Sequence, residues 1–181
     1  DVDIHQKIEE YSKTLIQQID TMSSIASAFS NFAKMPAQQN ETLNVVEVVN
    51  LALDIFTEDY LVFECDRQEI IAKLDRTQLI RIITNLVKNA IQSIARVPSP
   101  IIRICLNDDE NNINITVTDN GHGISKENKP KIFEPKFTTK TSGMGLGLPM
   151  IKNIIETYKG SIAFESVEGS GTTFKVILPK L

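Results

Sequence analysis

Asn85 and Asn89 stand four residues apart, a spacing that puts two amide side chains on one face of a helix. A neutral amide oxygen is a hard donor, suited to a Mg²⁺ ion that keeps most of its waters and phosphate ligands. Two asparagines on a polar helix face are also commonly just solvated. Asn is a mediocre helix former, however, and two in mid-helix call for a reason. Asp119 ends the alternating run Ile113 to Thr118 and precedes Gly121 and Gly123. A carboxylate there accepts hydrogen bonds only, and could take one from an exocyclic amine such as adenine N6. Glycines let main chain approach a flat base without interference from Cβ. Asp-Asn-Gly is equally a common strand-ending turn. Gly143-x-Gly145-x-Gly147 leads into a helix start, where free N–H groups and the dipole favour an anion. Lys140 adds a mobile positive charge nearby. A glycine hinge without ligand would look the same. Neither G-x-G-x-x-G nor G-x-x-x-x-G-K-S/T occurs anywhere in the chain.

Elements must hold these residues. Asp75 is a plausible N-cap for a helix from about Arg76 to Arg96, stopped before Pro98. Leu79, Ile82, Ile83, Leu86, Ala90, Ile91 and Ile94 make its apolar stripe. Gln78, Arg81, Asn85, Lys88, Asn89, Gln92 and Arg96 make its polar face. Val45 to Phe56 carries a second helical stripe, and Leu61–Cys65 and Ile70–Lys73 are short strand candidates. Ile101–Leu106 and Ile113–Asp119 read as adjacent antiparallel strands. A helix follows the glycine run to about Lys159, with Gly160 as its C-cap, and strands Ser161–Val167 and Thr173–Leu178 finish the chain. This order predicts an α/β fold of the α+β two-layer sandwich kind. Its sheet is mixed and mostly antiparallel, with about five strands and about three helices on one face.

One long N-terminal helix precedes that sandwich. Ile4, Ile8, Tyr11, Leu15, Ile19, Met22, Ala26, Phe29 and Ala33 repeat in steps of three and four, a narrow heptad-like seam with no Gly or Pro before Pro36. Some 33 residues reach roughly 50 Å, too long for the helix to bury its own seam. A dimeric bundle is the expected partner arrangement, and folding back onto its own domain is the alternative. Pro36 to Glu41 reads as a linker. The chain opens in mid-pattern without Met, so further segments are expected before Asp1.

Composition narrows the function classes. Hydrophobic residues are 41% and charged residues 23% of 181, as in a globular protein with a real core. A net charge of −4 and a pI near 5.3 argue against a nucleic-acid binder. No apolar run approaches a membrane span, so no membrane contact is expected of these residues. Cys65 and Cys105 are expected to be buried free thiols of a reducing cytoplasm rather than a disulfide or metal pair.

Taken together, these residues resemble the ATP-binding catalytic domain of sensor histidine kinases, in the superfamily that includes Hsp90, MutL and type II topoisomerases. Asn85-Leu86-Val87-Lys88-Asn89-Ala90 looks like the N box, Asp119 to Ile124 like G1, and Gly143 to Leu148 like G2. Phe133 to Lys140 resembles the F box and lid, and Gly169 to Phe174 the closing segment. The likeness covers about residues 42 to 181. It implies two parts, a partial dimerisation helix at 1–36 and an ATP-binding domain at 37–181. Ser30 to Pro36 and Thr138-Thr139-Lys140 are most similar to the nitrogen-regulation type.

The resemblance implies a role for each matching residue. Asn89 would coordinate Mg²⁺ and Asp119 would hold adenine, with Gly121, Gly123, Ile124 and Thr172 shaping the base pocket. Lys140 and the N–H groups around Gly143, Met144, Gly145, Leu146, Gly147 and Leu148 would hold the phosphates. Lys88 and Phe133 would border the nucleotide. Hydrolysing and serine-kinase relatives carry a Glu base at the position of Asn85. Asn cannot take a proton, which favours transfer to histidine. The implied cofactors are ATP and Mg²⁺, and the implied partners a response regulator and a second copy of the chain. The acceptor motif itself is absent: His5 is followed by Gln6-Lys7-Ile8, and His122 fills a variable place in G1. The chain is therefore expected to bind ATP without phosphorylating itself. An ATP hydrolase or serine kinase of the same fold is the alternative, and a nucleotide-free dimerisation scaffold the second.

Overall fold

The computed structural model describes residues 2–33, 37–135 and 145–180. It begins with α1 (Val2–Ala33), then β1 (Glu41–Asn44), α2 (Val45–Leu53), β2 (Leu61–Glu64), β3 (Ile71–Leu74) and α3 (Arg76–Ser93). After these come β4 (Ile102–Asp108), β5 (Asn112–Asp119), a 3₁₀ turn at Lys129–Lys131, α4 (Gly147–Thr157), β6 (Ser161–Val167) and β7 (Gly171–Pro179). The main sheet has five strands in the order β2-β4-β5-β7-β6, parallel only between β2 and β4. Helices α2, α3 and α4 cover one of its faces, as expected.

Strict alternation explains the layering. In β5, Ile113, Ile115 and Val117 are buried against the helices while Asn114, Thr116 and Thr118 face the other way. Asp119 is the next inward position, so a carboxylate occupies what the pattern makes a core site. Leu79, Ile82, Ile83, Leu86 and Ala90 of α3 lie almost wholly out of solvent above the sheet. Burying each large one stabilises the fold by about 1.5–3 kcal/mol.

Several boundaries differ from expectation. The linker region ends in β1, which pairs antiparallel with β3 in a separate two-stranded sheet, so β3 is not part of the main sheet. The Asn44 side chain stops β1 and starts α2, accepting from Val46 N at 3.1 Å and from Ile70 N at 3.1 Å. α2 ends at Leu53, short of Phe56, and α3 ends at Ser93, short of Arg96. Ile94 departs from helical geometry at φ −92°, ψ 0°, and the Ser93 carbonyl before it accepts His122 N. Gln78, placed on the polar face, is buried. It lies in the closed first turn of α3, where Asp75 Oδ1 accepts Gln78 N and Asp75 Oδ2 accepts Gln39 N.

The end of α4 is another correction. The left-handed residue is Lys159 at φ 57°, not Gly160. Gly160 N donates to Ile155 O and Lys159 N to Glu156 O, the paired bonds of a Schellman closure. Gly160 is needed for space instead, since a Cβ there would meet Ile177 O at 2.3 Å.

Cys65 and Cys105 are free as expected, but half-buried rather than buried. Burial and the neighbouring Glu64 carboxylate, 3.3 Å from its sulfur, push the Cys105 thiol pKa up. The seam of α1 is not folded back onto the domain: Ile4, Ile8, Tyr11, Leu15, Ile19 and Met22 are all exposed, along with Ile16. The side chains of His5, Phe29 and Ala33 lie outside the described residues, as does Pro36.

Candidate functional site

Four inward positions line up across one end of the sheet. Register sets Ile102 opposite Asp119, Asp119 opposite Thr172, and Thr172 opposite Ser166. The last three are polar and buried, at a level where the strands otherwise carry core side chains. Buried polar groups of this kind need partners, and each has them. Ser166 Oγ lies 2.9 Å from Thr172 Oγ1, donates to Gly171 O at 3.0 Å, and accepts from Ile124 N at 2.8 Å. Ser166 has one hydroxyl proton, so the close contact with Thr172 is made with Thr172 as donor when Ser166 serves Gly171.

Asp119 meets the end of α3. Its Oδ1 accepts from Ser93 Oγ at 2.6 Å and from Gly121 N at 2.9 Å. Neither bond uses Oδ2. Gly121 packs directly on Ser93, where a Cβ would lie 2.1 Å from Oγ. Gly123, at φ +68°, packs on the β6–β7 hairpin, where a Cβ would lie 2.1 Å from Val167 O. The turn is closed by His122 O, which accepts Gly169 N at 2.8 Å. His122 itself is exposed, and its Nδ1 sits 2.6 Å from Gly123 O.

One turn and two turns before Ser93, Asn89 and Asn85 occupy the same face of α3, both half-buried. Asn85 Nδ2 donates to Arg81 O at 2.8 Å, which turns its Oδ1 to the start of α4. A Cβ on Gly147 would meet that oxygen at 2.7 Å. The N-terminus of α4 thus abuts the Asn face of α3, and Gly147 and Leu148 carry the N–H groups of its first turn, since Pro149 has none. The side chain of Leu146 is buried and that of Leu148 packs on the core. Gly145 has φ 63° just before the helix. Lys88 is exposed beside Asn89. Phe133 packs edge-on to Phe164 at 6.0 Å, with Lys152 Nζ 5.4 Å from its ring centre. Lys140, Gly143 and Met144 lie outside the described residues, as do Phe137, Thr138 and Thr139.

The structure therefore sets the Asp119–Gly121 bond beside the Ser166-centred bonds of Ile124 and Thr172, across the β5–β7 register, as one group, and Asn85 against Gly147 as a second. Asn89 stands between the two groups on α3, and Phe133 is set apart on the sheet edge. Sequence reasoning missed Ser93 and Ser166. Ser93 had a signal, since it continues the spacing of four from Asn85 and Asn89. Ser166 had none, because only strand register reveals it.

The donor set fits a nucleotide with Mg²⁺. The amide oxygens of α3 are hard and neutral, and the described residues hold no cluster of three His, Cys, Asp or Glu that would cage a metal alone. An ion there would complete its shell with phosphate oxygens and water, the usual manner of Mg²⁺. An open cavity of about 550 Å³ shares Ile124 and Ser166 with the group around Asp119 and is lined also by Lys126, Lys129 and Val167. It touches neither Asn85 nor Asp119.

Comparisons with known proteins point to one family. Residues 74–181 match the family described as Histidine kinase-, DNA gyrase B-, and HSP90-like ATPase. The sensor histidine kinase ZraS of Salmonella typhimurium is 30% identical over 176 residues, covering 94% of this chain and 38% of that protein. Nitrogen regulation protein NtrY of Azorhizobium caulinodans is 27% identical over 179 residues, covering 94% and 23%. The chain thus spans well under half the length of these curated relatives. The catalytic domain of histidine kinase ThkA superposes with a TM-score of 0.70 at 33% identity, covering 78% of this chain and 96% of that one. ThkA in complex with response regulator protein TrrA gives a TM-score of 0.75 at 26% identity, covering 96% and 52%. With its N box on α3, its G1 turn on β5 and its matched residues 74–181 spanning both, the chain belongs to the histidine kinase-, DNA gyrase B- and HSP90-like ATPase family.

Proposed function

We propose that this chain is the ATP-binding part of a two-component sensor kinase, which binds Mg-ATP and presents the γ-phosphate to a histidine carried by another segment. The observation that carries this reading is Asp119: a buried carboxylate with one oxygen tied to Ser93 and Gly121, beside the Asn-bearing face of a helix. Asp119 would accept the adenine amino group, with Gly121, Gly123, Ile124 and Thr172 forming the walls around the base. Asn89 would ligate Mg²⁺, with Asn85 one turn away. When bound, Mg²⁺ neutralises phosphate charge and lowers the barrier to phosphoryl transfer. The N–H groups at the start of α4, with Gly143, Met144 and Lys140 before it, would hold the phosphates. Lys88 and Phe133 would border this space.

Asn85 separates kinase from hydrolase. Its amide is engaged with Arg81 O and faces Gly147, and it has no basic lone pair with which to deprotonate water or serine. A neutral imidazole is already nucleophilic and needs no such base. Residues 1–36 form the dimerisation part and residues 37–181 the nucleotide domain. This boundary is supported by Gln39 and Asn40, which are bonded into the domain through Asp75 and Tyr158. By analogy with ThkA and its response regulator TrrA, the eventual phosphate recipient is a response regulator. No helix among the described residues is long and apolar enough to cross a membrane, and the proposed place of action is the cytoplasm, where ATP is supplied.

The reading predicts that the chain binds Mg-ATP but releases no phosphate in sustained turnover, as followed by a continuous phosphate assay. Turnover that Asn85→Ala abolishes would instead make it a hydrolase.

A further inference from the structure

Ser93 is the last residue of α3, and its hydroxyl has one proton but two acceptors in range. Asp119 Oδ1 is 2.6 Å away and Ala90 O is 2.8 Å away. The carboxylate wins, because a hydrogen bond to a charged acceptor is shorter and about twice as strong as a neutral one. The Ser93 carbonyl also accepts His122 N at 3.2 Å, and Gly121 rests on the Ser93 side chain. One residue therefore grips the glycine turn through both its main chain and its side chain.

The consequence lies in the rotation of the carboxylate. The terminal torsion of an aspartate is broad and roughly two-fold, so an untethered carboxylate swings freely. Two donors on Asp119 Oδ1, from Ser93 on α3 and from Gly121 on the turn, stop that motion. The hydrogen bonds among the described residues leave Oδ2 clear of both donors. A fixed acceptor in a buried site favours a ligand that brings a donor to it and rejects one that does not, since the acceptor is then left unpaired.

We propose that Ser93 is a specificity-determining positioning residue, which orients the Asp119 carboxylate toward the 6-amino group of an adenine nucleotide. This rests on the reading of Asp119 as the base acceptor. Ser93 itself need not touch the nucleotide.

Two ligands test it: Mg-ATP, and the Mg complex of purine riboside triphosphate, which has the same sugar and phosphates but no 6-amino group. Calorimetry would compare both on the wild-type chain and on Ser93→Ala. The wild type should prefer ATP. Ser93→Ala should weaken ATP by about tenfold, the loss of one charge-assisted bond, and leave purine riboside triphosphate unchanged. That retained affinity also reports that the variant is folded. Equal weakening of both ligands would reduce Ser93 to a general support of the pocket and overturn the proposal. Unchanged ATP affinity in the variant would overturn it too. A wild type that binds both ligands equally would remove the base-acceptor reading of Asp119 and this proposal with it.

Discussion

At the scale of single residues, the site depends on how closely Gly121 lies on Ser93. A Cβ at Gly121 would meet not only Ser93 Oγ at 2.1 Å but also Ser93 C and Cβ, each at 2.7 Å. Oγ could rotate aside, but the main-chain carbon cannot, so the turn must shift. Gly121→Ala is expected to lose about 1–3 kcal/mol of stability in urea unfolding, and to weaken Mg-ATP binding as Asp119 loses its second donor. Wild-type stability in the variant would mean the turn is looser than described. Residue identity made much of this site legible: a carboxylate before two glycines and two asparagines at spacing four suggested their chemistry directly. Ser93 was overlooked because a serine near a helix end is ordinary until its register with Asp119 is known. Lys88 and Phe133 were legible by type alone: one is exposed beside Asn89 and the other packs against Phe164.

At the scale of elements, α3 is the piece that meets α2, α4 and three strands of the main sheet, β4, β5 and β7. Its N-terminus is capped by Asp75, whose two oxygens serve Gln78 N and Gln39 N. Asp75 N in turn donates to Tyr158 OH, which donates to Asn40 Oδ1. Burial raises the Tyr158 pKa, which keeps the phenol in its neutral, donating form. This knot joins the segment after α1, the start of α3 and the end of α4. Asp75→Ala should therefore cost more than an ordinary cap, about 2 kcal/mol at the top of the usual range, with faster amide exchange at Gln39. A loss of only a few tenths, with Gln39 exchange unchanged, would show that the knot does not hold. Periodicity made the helices and the five main strands legible. It did not reveal β1, because four residues beside a proline-bearing linker carry too little pattern, and their pairing with β3 spans a helix and a strand. Nor did it reveal that Lys159 rather than Gly160 takes the left-handed turn, since the glycine there answers to Ile177 O.

At the scale of the molecule, two features share one chain: an exposed apolar seam on α1 and the polar group around Asp119 at one end of the main sheet. Six seam residues between Ile4 and Met22 stand in water on a helix of 32 residues. Such a narrow stripe is stable when a second helix covers it, and we propose that a second copy of the chain supplies it. Light scattering should give the mass of a dimer, and the pair Leu15→Arg and Ile19→Arg should return the mass of a monomer while nucleotide binding is kept. A monomeric wild type would contradict that assembly without touching the pocket. The pocket has its own direct test, which is calorimetric binding of Mg-ATP to the wild-type chain and to Asp119→Ala. The acceptor role of Asp119 predicts saturable binding to the wild type and a loss of at least about tenfold in the variant, because the buried acceptor for the base is gone. Undiminished affinity in Asp119→Ala would contradict it.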